Sequence, residues 1–155
     1  MSKDTLLADL KAKIGKEEPP GEWTLVDQER INRFADATED HQWIHVDPAR
    51  AKKESPFGAT IAHGFLTLSL LPHLTGAVAS GRSPYPGVKL AVNYGLNRVR
   101  FPAPVKVGSR VRARGKLMEV SEVTGGLQLI REVTVEMEGQ DKPCCVAETI
   151  SRLYF

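Results

Sequence analysis

Ala62-His63-Gly64-Phe65-Leu66-Thr67-Leu68-Ser69-Leu70-Leu71-Pro72 is the stretch on which the fold turns. From Phe65 to Leu71 it is apolar nearly all round, so a helix here must be enclosed on every side rather than lie on a surface. Pro72, without a backbone N–H, should kink or restart that helix, with Leu74, Ala77 and Val78 continuing the apolar path. Such a helix needs a large apolar partner.

The second half of the chain supplies one. Val88, Leu90, Val92, Tyr94 and Leu96 alternate with Lys89, Ala91 and Asn93, and the apolar parity changes at Val99 and Phe101, which places a bulge near Leu96-Asn97. Val105, Val107, Val111, Ala113 and Leu117 alternate with Lys106, Arg110, Arg112, Arg114 and Lys116. Thr124-Gly125-Gly126 turns into a strand over Leu127 to Met137, and Gly139-Gln140-Asp141-Lys142 into a last strand ending near Phe155. An antiparallel sheet with one apolar face and a helix apolar all round complete each other, which gives an α+β fold with the sheet wrapped around a central helix.

Upstream, Leu6, Leu7, Leu10 and Ile14 predict a short amphipathic helix before Pro19-Pro20-Gly21 interrupts it. Trp23-Thr24-Leu25-Val26 reads as a strand. Asp27 then caps a helix with Ile31, Phe34, Ala35 and Thr38 on one face, ending near Asp40. Asp47-Pro48 is a second start signal, so Asp40 and His45 fall in a connector between two helices.

The chain has 155 residues, 41% apolar and 26% charged, which fits one domain over 1–155 with its own core. No long apolar run suggests a membrane span, the charged start Met1-Ser2-Lys3-Asp4 lacks a signal-peptide pattern, and the expected location is cytoplasmic. A net charge of +2 is too small to imply nucleic acid. Adjacent Cys144 and Cys145 make neither a structural disulfide nor a zinc set, and read as strand residues.

Chemistry concentrates in Glu39-Asp40-His41-Gln42-Trp43-Ile44-His45-Val46-Asp47-Pro48. Asp40 and His45 are about 140° out of phase on a regular helix and converge on one ligand only if the backbone turns between them. Trp43 and Ile44 should pin that turn on the core and partly dry both groups, keeping His45 neutral. Downstream, the N–H groups of His63-Gly64 have no intrahelical acceptors, and Gly64 permits close approach of a ligand carbonyl. Asn93, Tyr94 and Asn97 lie by the bulge, where side chains can be re-aimed toward a site. Arg98, Arg100, Arg110, Arg112 and Arg114 are cations that could meet phosphates, although most of them suit the solvated face of the sheet. His41 and His73 lack metal-ligand spacing.

From Phe34 to Leu71 the chain resembles the MaoC-like family, the R-specific enoyl-CoA hydratases of hotdog fold. Their motif reads Gly-Asp-x-Asn-Pro-Ile/Leu-His-x-Asp, then His-Gly before the central helix. Asp40, His45, Asp47 and Gly64 match it, and Arg100-Phe101-Pro102-Ala103-Pro104-Val105-Lys106-Val107-Gly108 is similar to the family's later Phe-x-x-Pro-Val-x-x-Gly connection. Glu39 replaces the motif's Gly and Gln42-Trp43 its Asn-Pro, as in the nodulation-protein-N-like branch. Pro72 stands where some members carry a helix serine, and Thr67 and Ser69 lie nearby.

The resemblance implies a long central helix and reversible hydration of a trans-2-enoyl thioester to an R-3-hydroxyacyl thioester. Asp40 and His45 would hold the water, the Gly64 N–H would form the oxyanion site, and His63, Asn93, Tyr94, Asn97 and Arg98 would meet the substrate. No metal or other cofactor is implied beyond coenzyme A as part of the substrate. Acyl-CoA or acyl-carrier-protein thioesters are the implied partners, and a homodimer the implied assembly. Dehydration on the carrier protein, thioester hydrolysis and non-catalytic acyl-thioester binding are the alternatives; the Asp40/His45 spacing favours hydration over hydrolysis.

Overall fold

In a computed structural model, which describes residues 1–78 and 83–155, five strands form one antiparallel sheet. Their order is β1 (Thr24–Val26), β3 (Ser109–Val123), β4 (Gly126–Met137), β5 (Cys145–Tyr154) and β2 (Leu90–Arg100). The β3–β4 and β4–β5 hairpins make the centre, with Val111 opposite Met137 and Val133 opposite Ala147. Inward residues of β3 and β4 alternate with half-exposed ones as the period of two requires. The register of β2 on β5 shifts between Leu96 and Arg98, at the expected bulge, and again between Asn93 and Gly95. None of the described helices is long and apolar enough to cross a membrane.

Helices occupy the concave face. α1 (Lys3–Lys11) is capped by Ser2 and seals one end of the sheet, where Leu6 and Leu10 pack with Leu117, Leu127, Leu129 and Leu153. α2 (Gln28–Thr38) is capped by Asp27, which accepts from the Arg30 N–H at 2.8 Å. α3 (Trp43–Val46) and α4 (Pro48–Glu54) follow, and Asp47 caps the latter through the Arg50 N–H at 2.9 Å.

The central helix is divided near Pro72, as its sequence indicates, into α5 (Gly64–Ser69) and α6 (Leu71–Leu74), because Pro72 cannot donate to the preceding turn. It is shorter than the long helix that the resemblance implies. It is also covered on one side only. Leu66, Leu71 and Leu74 lie in the main core with Val26, Ile31, Val111, Val133 and Ala147. Each such leucine stabilises the fold by roughly 1.5–3 kcal/mol. Phe65, by contrast, is 69% exposed. Val78, expected on the apolar path, is also exposed. On the edge strand, Leu90, Tyr94 and Leu96 of β2 are exposed, as is Phe101 just beyond it.

Candidate active site

The connector after α2 turns because Glu39 adopts a left-handed conformation, φ 61°, the only non-glycine residue to do so among those described. This ends α2 where a glycine ordinarily would and redirects the chain at Asp40. One further turn of helix, α3, then brings His45 back toward it. His45 thus sits in a helical turn within the expected connector.

His45 is buried. Its Nδ1 lies 2.7 Å from the carbonyl oxygen of Ile61, which accepts only, so Nδ1 carries the proton. The neutral ring therefore presents Nε2 as a bare lone pair. Burial pushes the His45 pKa below the ordinary histidine value, and the neighbouring His63 adds to this, against the opposing pull of the Ile61 carbonyl and Asp40. His45 is thus favoured in its neutral, proton-accepting form.

The backbone around His45 is fixed from α2. Gln28 donates from Nε2 to the His45 carbonyl at 2.7 Å and to Asn32 at 2.9 Å, while its Oε1 accepts from the buried Thr60 hydroxyl at 2.5 Å. The Ile61 N–H returns to the Ile44 carbonyl at 3.0 Å. Sequence reasoning missed this clamp, since no periodicity links Gln28 with Thr60.

Asp40 is more open than expected. Its side chain is 52% exposed, and one oxygen accepts from the Gln42 N–H at 3.3 Å. Trp43 does not cover it, being drawn instead against Arg50, whose guanidinium lies 4.4 Å from the ring. A carboxylate oxygen of Asp40 and one ring nitrogen each of His45 and His63 nonetheless lie within 4.8 Å of one another. Two hydrogen bonds of about 2.8 Å at a tetrahedral angle span about 4.6 Å, so one water bridges such a gap.

His63 was expected to meet substrate; it lies beneath the pair. It is 3% exposed, its Nε2 reaches the Asp40 carbonyl oxygen at 2.9 Å, and its ring stacks on His45 with centroids 3.8 Å apart and planes 25° from parallel.

Gly64 opens α5, and its N–H lies outside a ladder that begins with Leu66 and Thr67 donating to the His63 carbonyl. A Cβ here would stand 2.8 Å from the Phe101 ring, so only glycine fits unless that ring shifts. A cavity of about 270 Å³ begins beside it, lined among others by Phe57, Ile61, Thr67, Phe101 and Cys144. Ser69, one of the two hydroxyls near the missing helix serine, is exposed and donates to the Phe65 carbonyl; Thr67 faces the cavity. Burial pushes the Cys144 thiol up to about 12 and Cys145 to about 11, so neither is a ready nucleophile.

The remaining sequence candidates lie apart from this centre. Asn93, Tyr94, Asn97 and Arg98 are exposed on β2. Asn97 donates to Glu148 at 2.5 Å, and the Arg152 guanidinium sits 3.4 Å from the centre of the Tyr94 ring. Arg110 pairs with Glu138 at 2.5 Å, and Arg112 and Arg114 share Glu136, each at 2.8 Å, which satisfies them without a phosphate. His41 pairs with exposed Asp36, and His73 meets the Thr24 hydroxyl.

The family model for the MaoC like domain matches residues 10–138. The chain belongs to the MaoC-like family. It is 55% identical over 147 residues to 3-hydroxyacyl-thioester dehydratase Z of Mycobacterium tuberculosis, covering 94% of each chain. It is 50% identical over 151 residues to Nodulation protein N of Rhizobium leguminosarum bv. viciae, covering 96% of this chain and 91% of the relative. The solved (R)-hydratase from A. caviae superposes with a TM-score of 0.67 at 22% identity, over 89% of this chain and 94% of that one, a likeness of fold. The curled sheet around α5 and α6 is thus the hotdog arrangement of this MaoC-like domain.

Proposed function

We propose that this MaoC-like protein interconverts trans-2-enoyl and R-3-hydroxyacyl thioesters by adding or removing water. The observation that carries the reading is the His45 Nδ1–H fixed on the Ile61 carbonyl, which leaves Nε2 unprotonated on a ring clustered with the Asp40 carboxylate. In the hydration direction, Asp40 and His45 hold one water, and one of them takes its proton as the oxygen attacks the β carbon. The proton taken from the water is then returned to the α carbon, which completes the addition and restores the pair. The Gly64 N–H steadies the thioester oxygen while negative charge develops there. Every proton in this scheme comes from water or a side chain, so no metal or redox cofactor is required.

Support for a thioester substrate comes from the similarity to a 3-hydroxyacyl-thioester dehydratase over nearly the whole chain. The same reaction runs as dehydration when the 3-hydroxyacyl form is in excess. Acyl-coenzyme A is the carrier we infer, with Arg98 and Arg100 on the β2 edge as its phosphate contacts; acyl-carrier-protein is the other carrier. Asn93, Tyr94 and Asn97 on the same strand are the further thioester contacts we infer. A soluble cytoplasmic enzyme of fatty acid metabolism fits this chemistry.

A second copy of the chain is the partner we infer for β2. An 11-residue edge strand exposing Leu90, Tyr94 and Leu96 is a template for pairing, and Phe65 with Phe101 extends the apolar surface beside it. Homodimerisation through this edge would cover Leu90, Tyr94 and Leu96. The function is tested by incubating the protein with crotonyl-CoA and longer enoyl-CoAs, following loss of the conjugated thioester and determining product configuration. An S product, or no hydration of any enoyl thioester, would overturn it.

A further inference from the structure

The buried imidazole of His63 has a role that goes beyond core packing. Three contacts converge on it from different segments. Its Nε2 donates to the Asp40 main-chain carbonyl at 2.9 Å, across 23 residues of sequence. One face stacks on His45 at 3.8 Å between centroids, and the Phe34 ring of α2 packs at 5.0 Å and 56°. The side chain thus touches both members of the proposed acid–base pair while being too buried to meet a ligand.

The hydrogen-bond inventory argues against an ordinary core histidine. The ring that donates from Nε2 leaves Nδ1 as an acceptor, and Nδ1 is buried with no partner among the described residues. A phenylalanine at this position would fill the same space without that unsatisfied group. What phenylalanine lacks is the donor that ties down Asp40. His45 gains support as well, because its one ring hydrogen bond among the described residues, to Ile61, does not by itself fix the imidazole plane. The stacked face of His63 supplies that second constraint.

We propose that His63 is a positioning residue for the hydration proposed above, holding Asp40 through its Nε2–H and the plane of His45 through its ring. The titratable groups facing it are Asp40, whose carboxylate lies 3.9 Å from Nε2, and His45. Phe34 closes the α2 side. The inference rests on the proposed reaction, but its geometry can be read independently of turnover.

Two substitutions separate the contacts. His63→Gln keeps an N–H that reaches the Asp40 carbonyl and loses the ring face; His63→Phe keeps the ring face and loses the donor. Misplacing a catalytic group by about 1 Å can cost on the order of 10²-fold in rate. We therefore expect His63→Phe to lower kcat by about 10–10²-fold with KM unchanged, and His63→Gln to retain more of the rate. Folded His63→Phe at the wild-type kcat, or a change confined to KM, would overturn the proposal. If His63→Phe does not fold, kcat of His63→Gln decides: an unchanged value with a normal pH profile overturns the role of the ring face. Imidazole ¹H–¹⁵N spectra of the wild-type protein supply the readout that needs no substrate. Slowly exchanging His63 Nε2–H and His45 Nδ1–H protons support the positioning geometry even if no enoyl thioester is hydrated; a His63 ring protonated at Nδ1 contradicts it.

Discussion

The Nδ1 of His45 lies 2.7 Å from the carbonyl oxygen of Ile61, and this one contact fixes which nitrogen of the ring is left to act as a base. It also joins the short helix that carries His45 to the segment leading into Gly64 and the central helix. The proposed base and the proposed oxyanion donor are thereby held in one frame.

The pH dependence follows from burial of that ring. The folded-state pKa of His45 is lowered, so its base form persists as pH falls below 6.5, where an exposed histidine would already be protonated. The acid limb of kcat/KM should lie below pH 6.5. Stability has a matching sign: the unfolded chain takes up the proton first, so this contribution is complete above pH 6.5 and is lost as pH falls from there through the folded-state value. Urea midpoints from pH 7.5 to 5 should drop in the wild type more than in His45→Gln. Equal slopes would show that His45 is not held neutral.

Glu39 tests the turn that delivers Asp40. A non-glycine residue in the left-handed region costs roughly 1–2 kcal/mol relative to glycine's freedom there. Glu39→Gly should raise thermal stability by about 1 kcal/mol at most, once glycine's extra unfolded-state entropy is counted, while Glu39→Ala should bring no gain. Calorimetry distinguishes the two. A stabilising alanine would mean that the glutamate side chain, and not its backbone, is the source of strain.

Thr60 tests the Gln28 clamp. Thr60→Val leaves the buried Gln28 Oε1 without its donor and should cost about 1–3 kcal/mol. Because the same amide holds the His45 carbonyl, kcat should fall as well, with KM little changed. Chemical denaturation and steady-state kinetics on one preparation check both; full activity would disconnect the clamp from the site.

Gly64 should tolerate alanine poorly in rate and better in stability. The Phe101 ring that a Cβ would strike is 40% exposed and can give way, so the loss should fall at the low end of the roughly 1–3 kcal/mol of overpacking. The shifted ring and added methyl obstruct approach to the N–H, and kcat should drop by about 10²-fold, the scale of a lost oxyanion donor. A melting curve and a rate on Gly64→Ala settle the comparison.

Leu96 tests the edge. A glutamate placed on the exposed face of β2 should turn a dimer into monomers, read by sedimentation velocity. A wild-type protein that sediments as a monomer at micromolar concentration would remove the inferred interface.

Much of this was legible in local signals. Asp27 and Asp47 announced two helix starts, the parity change at Leu96-Asn97 marked a bulge, and alternation in β3 and β4 gave the inner face of the sheet. Pro72 marked the break in the central helix. What the chain could not disclose depended on contacts across distance. The apolar run from Phe65 to Leu71 reads as buried all round, yet Phe65 is exposed, because a run of sequence does not say whether its cover comes from the same chain. Asp40 was expected to be partly dried by Trp43, which packs with Arg50 instead. His63 looked like a ligand contact from its place before Gly64; only the fold puts its ring under His45 and its Nε2 on Asp40.

The most direct measurement of the central claim is hydration of crotonyl-CoA by the wild-type protein, Asp40→Asn and His45→Gln, each first confirmed folded. The account predicts loss of the conjugated thioester and an R-3-hydroxy product for the wild type, with turnover reduced roughly 10²–10⁴-fold in each variant, the range expected for a lost acid–base group. Near-normal turnover in either variant would contradict it.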